Sequence, residues 1–545
     1  MTDDVAGHAG PADRTAATQA GPAQPADRTA ATSAGPAQPA GDGRNLADLV
    51  SAAALARPDR TAFLHAGRSL TWAELDAAVG RAADGLLALG LTTGDRVGLH
   101  LGNTLDFPVA YFGVLRAGLV AVPLNPGYTE AELRHALGDS GARALLSARS
   151  TGPTAVAVAE SLDTLEHVIV TGTGATPSPV LTWDDVLSQG VPLEDRPRTG
   201  GEDLALVLYT SGTSGTPRGA MLPHRALLAN LEQGARIEPP VVTDEDVVLL
   251  VLPLFHIYGL NAGLGAVAHH GATGVLVERF DPVDTLEVLR RDQVTSVLGA
   301  PPMYVAWSML PDVGDAFSGV RVALSGAAPL PAQVLHRLQD LTGQHVFEGY
   351  GLTETAPVLT STLMSPVAKA SSIGRPLPGV ELRLVDEAGR PVVEGDPGEI
   401  VVRGDNVFTG YWPDGADGPV DGWFATGDVA YLDADGDLFL VDRRKELVLV
   451  SGFNVYPREV EDVLSRHPDV HEAAVLGVPH PYTGETVKAL VVLEGGAHPS
   501  VDDLVAHCTR SLARFKCPTT VEFVDELPHS ATGKVSKARL RERSS

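Results

Sequence analysis

From Asn45 onward, amphipathic stretches such as LADLVSAAALA and TWAELDAAVGRAADGLLALG alternate with short apolar runs, RVGLHL, LVAVPL and ALLSA. This alternation constrains the fold more than any other feature. Short strands that are apolar on both faces need helices to cover them, and a helix between two strands returns the chain to start a parallel neighbour. After Val380 the texture shifts to short strands and tight turns, VELRLVD, GEIVVRG and VAYLDADGDLFLVD. A last segment, with PREVEDVLSRHPDVHEAAVLGVPH, KALVVLEGG and VEFVDELP, alternates helix and strand again over about a hundred residues, the size of a small domain. The expected class is α/β: a large N-terminal domain of layered sheets with helices, over residues 44–441, and a smaller α+β C-terminal domain, over 446–545. The charged cluster Asp442–Glu446, DRRKE, marks the boundary.

Ahead of this lies PADRTAATQAGPAQ, repeated at once as PADRTAATSAGPAQ and differing only at Gln19 against Ser33. Without large apolar residues the segment cannot offset its ordering entropy, so residues 1–43 read as a disordered tail. A tether and a slippage insert without a role are the two readings of it. With 41 basic and 68 acidic residues the net charge is -27, and no basic run interrupts it. That excludes the electrostatic footprint of a nucleic-acid binder, so an anionic ligand must be held by local devices. The two cysteines, Cys508 and Cys517, form no C-x-x-C or Cys/His cluster, which argues against disulfide frameworks and structural zinc. MTDDVAGHAG lacks the features of a signal peptide, and the apolar region 247–277 is broken by Pro253, His256, Asn261, His269 and His270. A soluble, cytoplasmic protein without a transmembrane segment is expected.

The chemistry concentrates in a few segments. YTSGTSGTPRGA, Tyr209 to Ala220, follows the β-prone run LALVLY and precedes the helical HRALLANLEQ, so it reads as a strand-to-helix loop. Its glycines 212, 215 and 219 can turn backbone N–H groups towards a phosphate, its hydroxyls add donors, and Arg218 adds charge. It lacks the lysine and spacing of the common P-loop, and taken alone it is also compatible with a polar linker. EGYGLTETAP offers Tyr350 to stack on a base, Thr353 for a phosphate oxygen and Glu354 for magnesium; by itself it could be a capped turn before a helix. ATGDVAYLD places Asp428 in a loop before a strand, suited to a ribose hydroxyl. Asp442, Arg443 and Lys445 follow, and LPHSATGKVSKARL carries Lys534. The acidic DADGD, Asp433–Asp437, fails as a calcium loop because its glycine comes fourth and Arg444 stands at the twelfth position; Asp435-Gly436 reads as a hairpin turn.

In this order and at these separations the segments resemble the adenylate-forming superfamily, the acyl-CoA synthetase and fatty-acid-CoA ligase branch in particular, over roughly Asn45 to the C-terminus. The resemblance implies two domains joined by a hinge at 442–445, with ATP between them. It makes Thr210, Ser211, Gly212, Thr213, Ser214 and Gly215 part of the phosphate loop, with Arg218 as its cation. Ser325, Gly326, Ala327 and Ala328, with Gly349, Tyr350 and Gly351, frame the adenine. Thr353 meets the α-phosphate, Glu354 and Thr210 hold Mg2+, Asp428 and Arg443 the ribose. Lys445 is the hinge residue and Lys534 the catalytic lysine. A carboxylate attacks the α-phosphorus of ATP, pyrophosphate leaves, and the thiol of CoA then attacks the acyl adenylate. No protein nucleophile is needed, because the work is charge neutralisation and positioning.

Two positions depart from the family pattern: Ser214 and Arg218 stand where threonine and lysine are usual, each keeping the donor or the charge. Leu449 replaces a lysine that some members carry. LPLFHIYGLNAGLGA, with His256, Tyr258 and Gly259, matches the segment lining the acyl pocket, together with Gly326. It contains no Lys or Arg, and Arg321 is the one nearby cation for a dicarboxylate such as malonate. An apolar acid, medium- or long-chain, is expected. For the acceptor, SGFNVYPREVE and LARFKCP point to CoA, along Gly452 and Phe453, with a separate acyl carrier protein as the alternative. Malonyl-type and aryl-CoA ligases, and a nucleotide-sensing pseudoenzyme, are the other readings.

Overall fold

A computed structural model describes residues 43–172, 180–190, 196–210, 217–393, 395–443, 446, 448–450, 453–480, 484–512, 514–529 and 535–544. Among these, the expected alternation builds two large sheets. The first has nine strands. Its parallel centre runs Val346–Gly351, Val322–Ser325, Ser296–Gly299, Val247–Leu250, Thr273–Leu276 and Thr61–His65, and antiparallel strands lie at both edges. The second has seven strands, in the order Leu181–Thr182, His167–Val170, Ala144–Ser147, Arg96–His100, Val120–Pro123, Leu204–Thr210 and Arg218–Pro223. Its inner strands are parallel and buried, as continuous apolar runs such as VAVP require. The covering helices begin where the sequence supplies caps. Thr71 and Glu74 form a reciprocal capping box for Trp72–Ala88, and Thr129 and Glu132 do the same for Glu130–Ser140.

The texture change after Val380 corresponds to a four-stranded antiparallel sheet, Glu381–Val385, Gly398–Arg403, Phe424–Leu432 and Leu438–Arg443. DADGD is its last hairpin turn, with Gly436 at φ +86°. The three aspartates converge on Lys369 Nζ at 2.6, 2.7 and 3.2 Å, and Arg375 also pairs with Asp437 at 2.9 Å, so cations of the chain itself offset most of their charge. The final segment forms a separate five-stranded sheet in which the long strands Val470–His480 and Gly484–Leu493 pair antiparallel and Thr520–Phe523 joins in parallel. Its apolar cluster runs from Val448 to Cys517, whereas the main core spans Leu46 to Leu438. No helix among the described residues is long and apolar enough to cross a membrane.

One expectation about local structure is corrected here. The segment after Tyr209 does not lead directly into a helix: Arg218–Pro223 is a strand that pairs antiparallel with Leu204–Thr210, Thr210 opposite Arg218, and the helix His224–Ala235 starts only after it. The residues flanking the glycine-rich stretch, Thr210 and Arg218, are therefore paired in one antiparallel ladder. Arg218 belongs to a strand, which fixes its backbone to the seven-stranded sheet.

Candidate active site

Of the motif residues that are described, Tyr350, Asp428, Glu354 and Arg218 are brought together by elements of the two large sheets and the antiparallel sheet. Strand Val346–Gly351 carries Tyr350 out of the nine-stranded sheet, and the hydroxyl of Tyr350 donates to Asp428 Oδ2 at 2.7 Å. Asp428 lies inside the strand Phe424–Leu432 rather than in a loop before one, a second correction. Gly427 at φ +75° and a register shift between Val429 and Ala430 give the TGD stretch its turn-like composition while the pairing continues. Asp428 and Arg443, the expected ribose pair, are opposite each other in the register of neighbouring strands.

After Gly351 the chain makes a single 3-10 turn, Thr353–Thr355, and a cis Ala356-Pro357 bond leads into strand Val358–Ser361; no helix follows. A Cβ on Gly351 would sit 1.8 Å from the Pro357 carbonyl oxygen, so only glycine permits this return of the chain. The turn is held by buried amides that the motifs did not reveal. Asn261 Nδ2 donates to the carbonyls of Leu227 and Ala356, Asn230 Nδ2 to that of Val358, and Asn406 Nδ2 to that of Thr355. Gln233 in turn donates to Asn406 Oδ1 at 3.1 Å. Polar residues inside an apolar helical run, as in LLANLEQ, are the sequence signal for such a scaffold, because a buried amide must find partners.

On this scaffold Thr353 is half-buried and Glu354 is buried, 9% exposed. The Glu354 carboxylate accepts from the hydroxyl of Tyr411, another residue that the motifs did not single out. The same ring carries the Arg218 guanidinium over its face, 3.8 Å from the centroid, and Asp417 pairs with Arg218 at 2.9 Å. Motifs 136 positions apart in the chain, at Arg218 and Glu354, thus meet on one aromatic side chain. Thr210 ends its strand half-buried beside them.

Ser325 closes the strand Val322–Ser325, and its side chain is buried. Gly326 is buried, Ala327 is exposed at φ +70° and Ala328 is half-buried. Gly349 is half-buried and pairs with Ser361. The expected acyl-pocket residues also meet: the Tyr258 ring lies so close to Gly326 that a Cβ there would stand 2.8 Å from Cε1. Tyr258 opens a π-helix, Tyr258–Gly265, and its backbone N–H donates to His256 Nδ1 at 3.3 Å. A wider π turn re-aims side chains relative to an α-helix and is common at functional sites. Gly259 packs its Cα against the Pro253 carbonyl, where any side chain would clash. Arg321 faces elsewhere: it forms an ion pair with Asp246 at 2.6 Å and donates to the Pro240 carbonyl at 2.7 Å. Ser211, Gly212, Thr213, Ser214, Gly215, Lys445, Gly452 and Lys534 lie outside the described residues, as do residues 1–42 and the side chains of Arg443 and Phe453.

Magnesium takes hard oxygen donors, most often one or two carboxylates with the substrate's phosphates and waters. A single buried carboxylate at Glu354 and the Thr210 hydroxyl fit that demand, and no group of three or more His, Cys, Asp or Glu that could cage a metal occurs among the described residues.

Layered α/β sheets, a separate small sheet domain and a site that brings hydroxyls, the Glu354 and Asp428 carboxylates and the Arg218 guanidinium together suit an enzyme that works by positioning anionic substrates. The chain belongs to the AMP-binding enzyme family: the family pattern matches residues 50–412, and the AMP-binding enzyme C-terminal domain matches 459–534. It is similar to the long-chain-fatty-acid–CoA ligase of Yersinia pestis, 37% identical with 91% of this chain and 94% of that protein covered. It is also similar to the one from Bacillus subtilis, 34% identical over 92% and 94%. Among solved structures it resembles ATP-bound MatB from Rhodopseudomonas palustris, with a TM-score of 0.84 and 34% identity over 92% of this chain and 99% of that one.

Proposed function

We propose that the protein is an ATP-dependent, AMP-forming acyl-CoA synthetase that activates a medium- or long-chain fatty acid. The observation that carries this reading is that Tyr350 meets Asp428, and Arg218 and Glu354 meet on Tyr411, so residues read as nucleotide-binding from distant motifs lie together. The names of the two ligase relatives support the substrate class. So does the engagement of Arg321 with Asp246, which leaves the apolar Tyr258 and Gly326 region without that cation.

The fatty carboxylate attacks the α-phosphorus of ATP, the bond to the β-phosphate oxygen breaks, and pyrophosphate leaves. The CoA thiol then attacks the acyl carbon, loses its proton and expels AMP. Tyr350 would stack on the adenine, Asp428 and Arg443 would bind the ribose, Thr353 the α-phosphate, and Arg218 with residues 210–215 the pyrophosphate. Magnesium, held by Glu354 and Thr210, would neutralise phosphate charge as the two anions approach. Lys534 would stabilise the charge developing in the first step. A hinge at 442–445, around Lys445, would withdraw it so that CoA can enter past Gly452 and Phe453. These assignments keep the division at 44–441 and 446–545, a cytoplasmic location, and CoA as acceptor.

The test is pyrophosphate release across free acids of graded length and polarity, followed by thioester formation with CoA or with a phosphopantetheinylated carrier protein. Release confined to longer apolar acids, with thioester on CoA, is expected. Preference for malonate or an aryl acid, or thioester on the carrier alone, would overturn the substrate assignment. No acid-dependent release at all would leave a nucleotide sensor.

A further inference from the structure

Residues 408–417 form a strap that touches both walls of the site. Its backbone is joined to strand Arg218–Pro223 by three bonds: Thr409 N–H to the Met221 carbonyl at 3.1 Å, Met221 N–H to that of Gly410 at 3.0 Å, and Trp412 N–H to that of Gly219 at 2.8 Å. It is joined to the other wall by Phe408 N–H, which donates to the Glu354 carbonyl at 2.9 Å. Between these anchors stands Tyr411. Its ring packs edge-on against Phe408 at 5.1 Å, its face carries Arg218, and its hydroxyl donates to Glu354 Oε1.

We propose that Tyr411 is a positioning residue for nucleotide activation: its hydroxyl holds the Glu354 carboxylate in one orientation for magnesium, and the face of its ring seats the Arg218 guanidinium. The proposal rests on the reading of Glu354 as a magnesium ligand. The chemistry of the donor matters. A lysine or arginine bonded to Glu354 would neutralise the carboxylate and compete with the metal, whereas a neutral phenol fixes its direction and leaves its charge in place. The arrangement also accounts for arginine at position 218, because a planar guanidinium stacks on an aromatic face better than an ammonium does.

The test uses the full chain with ATP and no acid, so that binding is read without turnover. The magnesium concentration giving half-maximal ATP binding is measured by calorimetry for the parent, Tyr411→Phe, Glu354→Gln and the double variant. Tyr411→Phe keeps the ring and its packing, and folding is checked by its melt. It is expected to raise the magnesium midpoint about ten- to a hundredfold, the scale of one hydrogen bond to a charged group, while leaving magnesium-free ATP affinity unchanged. In the Glu354→Gln background it should add nothing. Tyr411→Met, which likewise lacks the hydroxyl but leaves Glu354 intact, should shift the midpoint in the same direction and supplies the test should the phenylalanine variant not fold. If Glu354→Gln moves the midpoint and Tyr411→Phe does not, or if the two effects add in full, the positioning role is wrong and the metal reading survives. If Glu354→Gln leaves the midpoint unmoved, the metal reading fails and the proposal fails with it.

Discussion

Replacing Glu348 with glutamine should stabilise the protein at alkaline pH and do far less in acid. Glu348 sits in strand Val346–Gly351, 6% exposed, and burial pushes its carboxyl up to about 7 from an ordinary 4.5. The backbone N–H groups of Leu330 and Ser371 and the charge of Arg458 pull the other way without overcoming that burial. With the folded value above the unfolded one, the folded state holds its proton more tightly. Stability is then fullest below pH 4.5 and falls as the pH rises through 7. Glutamine has the shape of the protonated acid and cannot ionise. Linkage between these two values gives a cost of about 3 kcal/mol for the parent at pH 8 and about 1 kcal/mol at pH 5, a difference of about 2.5 kcal/mol before rounding. An unfolding entropy of roughly 1 kcal/mol/K for a unit of about 500 residues converts this into about 2–3 °C. Calorimetric melts of parent and Glu348→Gln at pH 5 and pH 8 measure it. The variant should gain by that amount on going from the lower to the higher pH. An offset independent of pH, or one larger in acid, would refute the assignment of a neutral buried acid.

His224 should impose the opposite slope on the acid side. Burial lowers its pKa to about 4, and its Nδ1 accepts from the Leu46 N–H, tying the segment at Leu46 to the helix His224–Ala235. Its contribution is present above about pH 6.5 and is lost as the pH falls through 4, so His224→Gln should flatten urea stability between those values by up to about 3 kcal/mol. An unchanged profile would show that the histidine is not held neutral. Gly326→Val should displace the Tyr258 ring and raise KM for the fatty acid about tenfold or more, a larger loss than that in ATP affinity measured without acid. A loss confined to ATP binding would separate Gly326 from the acyl site.

The fold class was legible because its cause is local. Runs such as VAVP and ALLS, apolar at every position, can be buried only between layers, and the amphipathic stretches beside them supply those layers. The strand Arg218–Pro223 was not, because RGAMLP is short, begins with a cation and includes a glycine, which period counting assigns to loop. That glycine is where the seven-stranded sheet admits close packing: a Cβ on Gly219 would lie 2.6 Å from Val207 and 3.4 Å from Trp412, a residue almost two hundred positions away. Asp428 was misplaced for a related reason, since a Thr-Gly-Asp run has turn composition while a bulge lets the ladder carry it.

The site divides in the same way. Sequence determined which chemical groups were available: a glutamate, two arginines, two lysines, a tyrosine, an aspartate and an apolar segment without Lys or Arg, in an order that marks the family. Tertiary structure decided which of them touch. It turned Arg321 to Asp246, brought Arg218 and Glu354 onto Tyr411, and braced the Glu354 turn with Asn230, Asn261 and Asn406. These contacts join residues far apart in the chain. Side-chain types and their periods report which face of an element is buried, whereas the partner across a cleft depends on how whole sheets pack, and no local pattern encodes that.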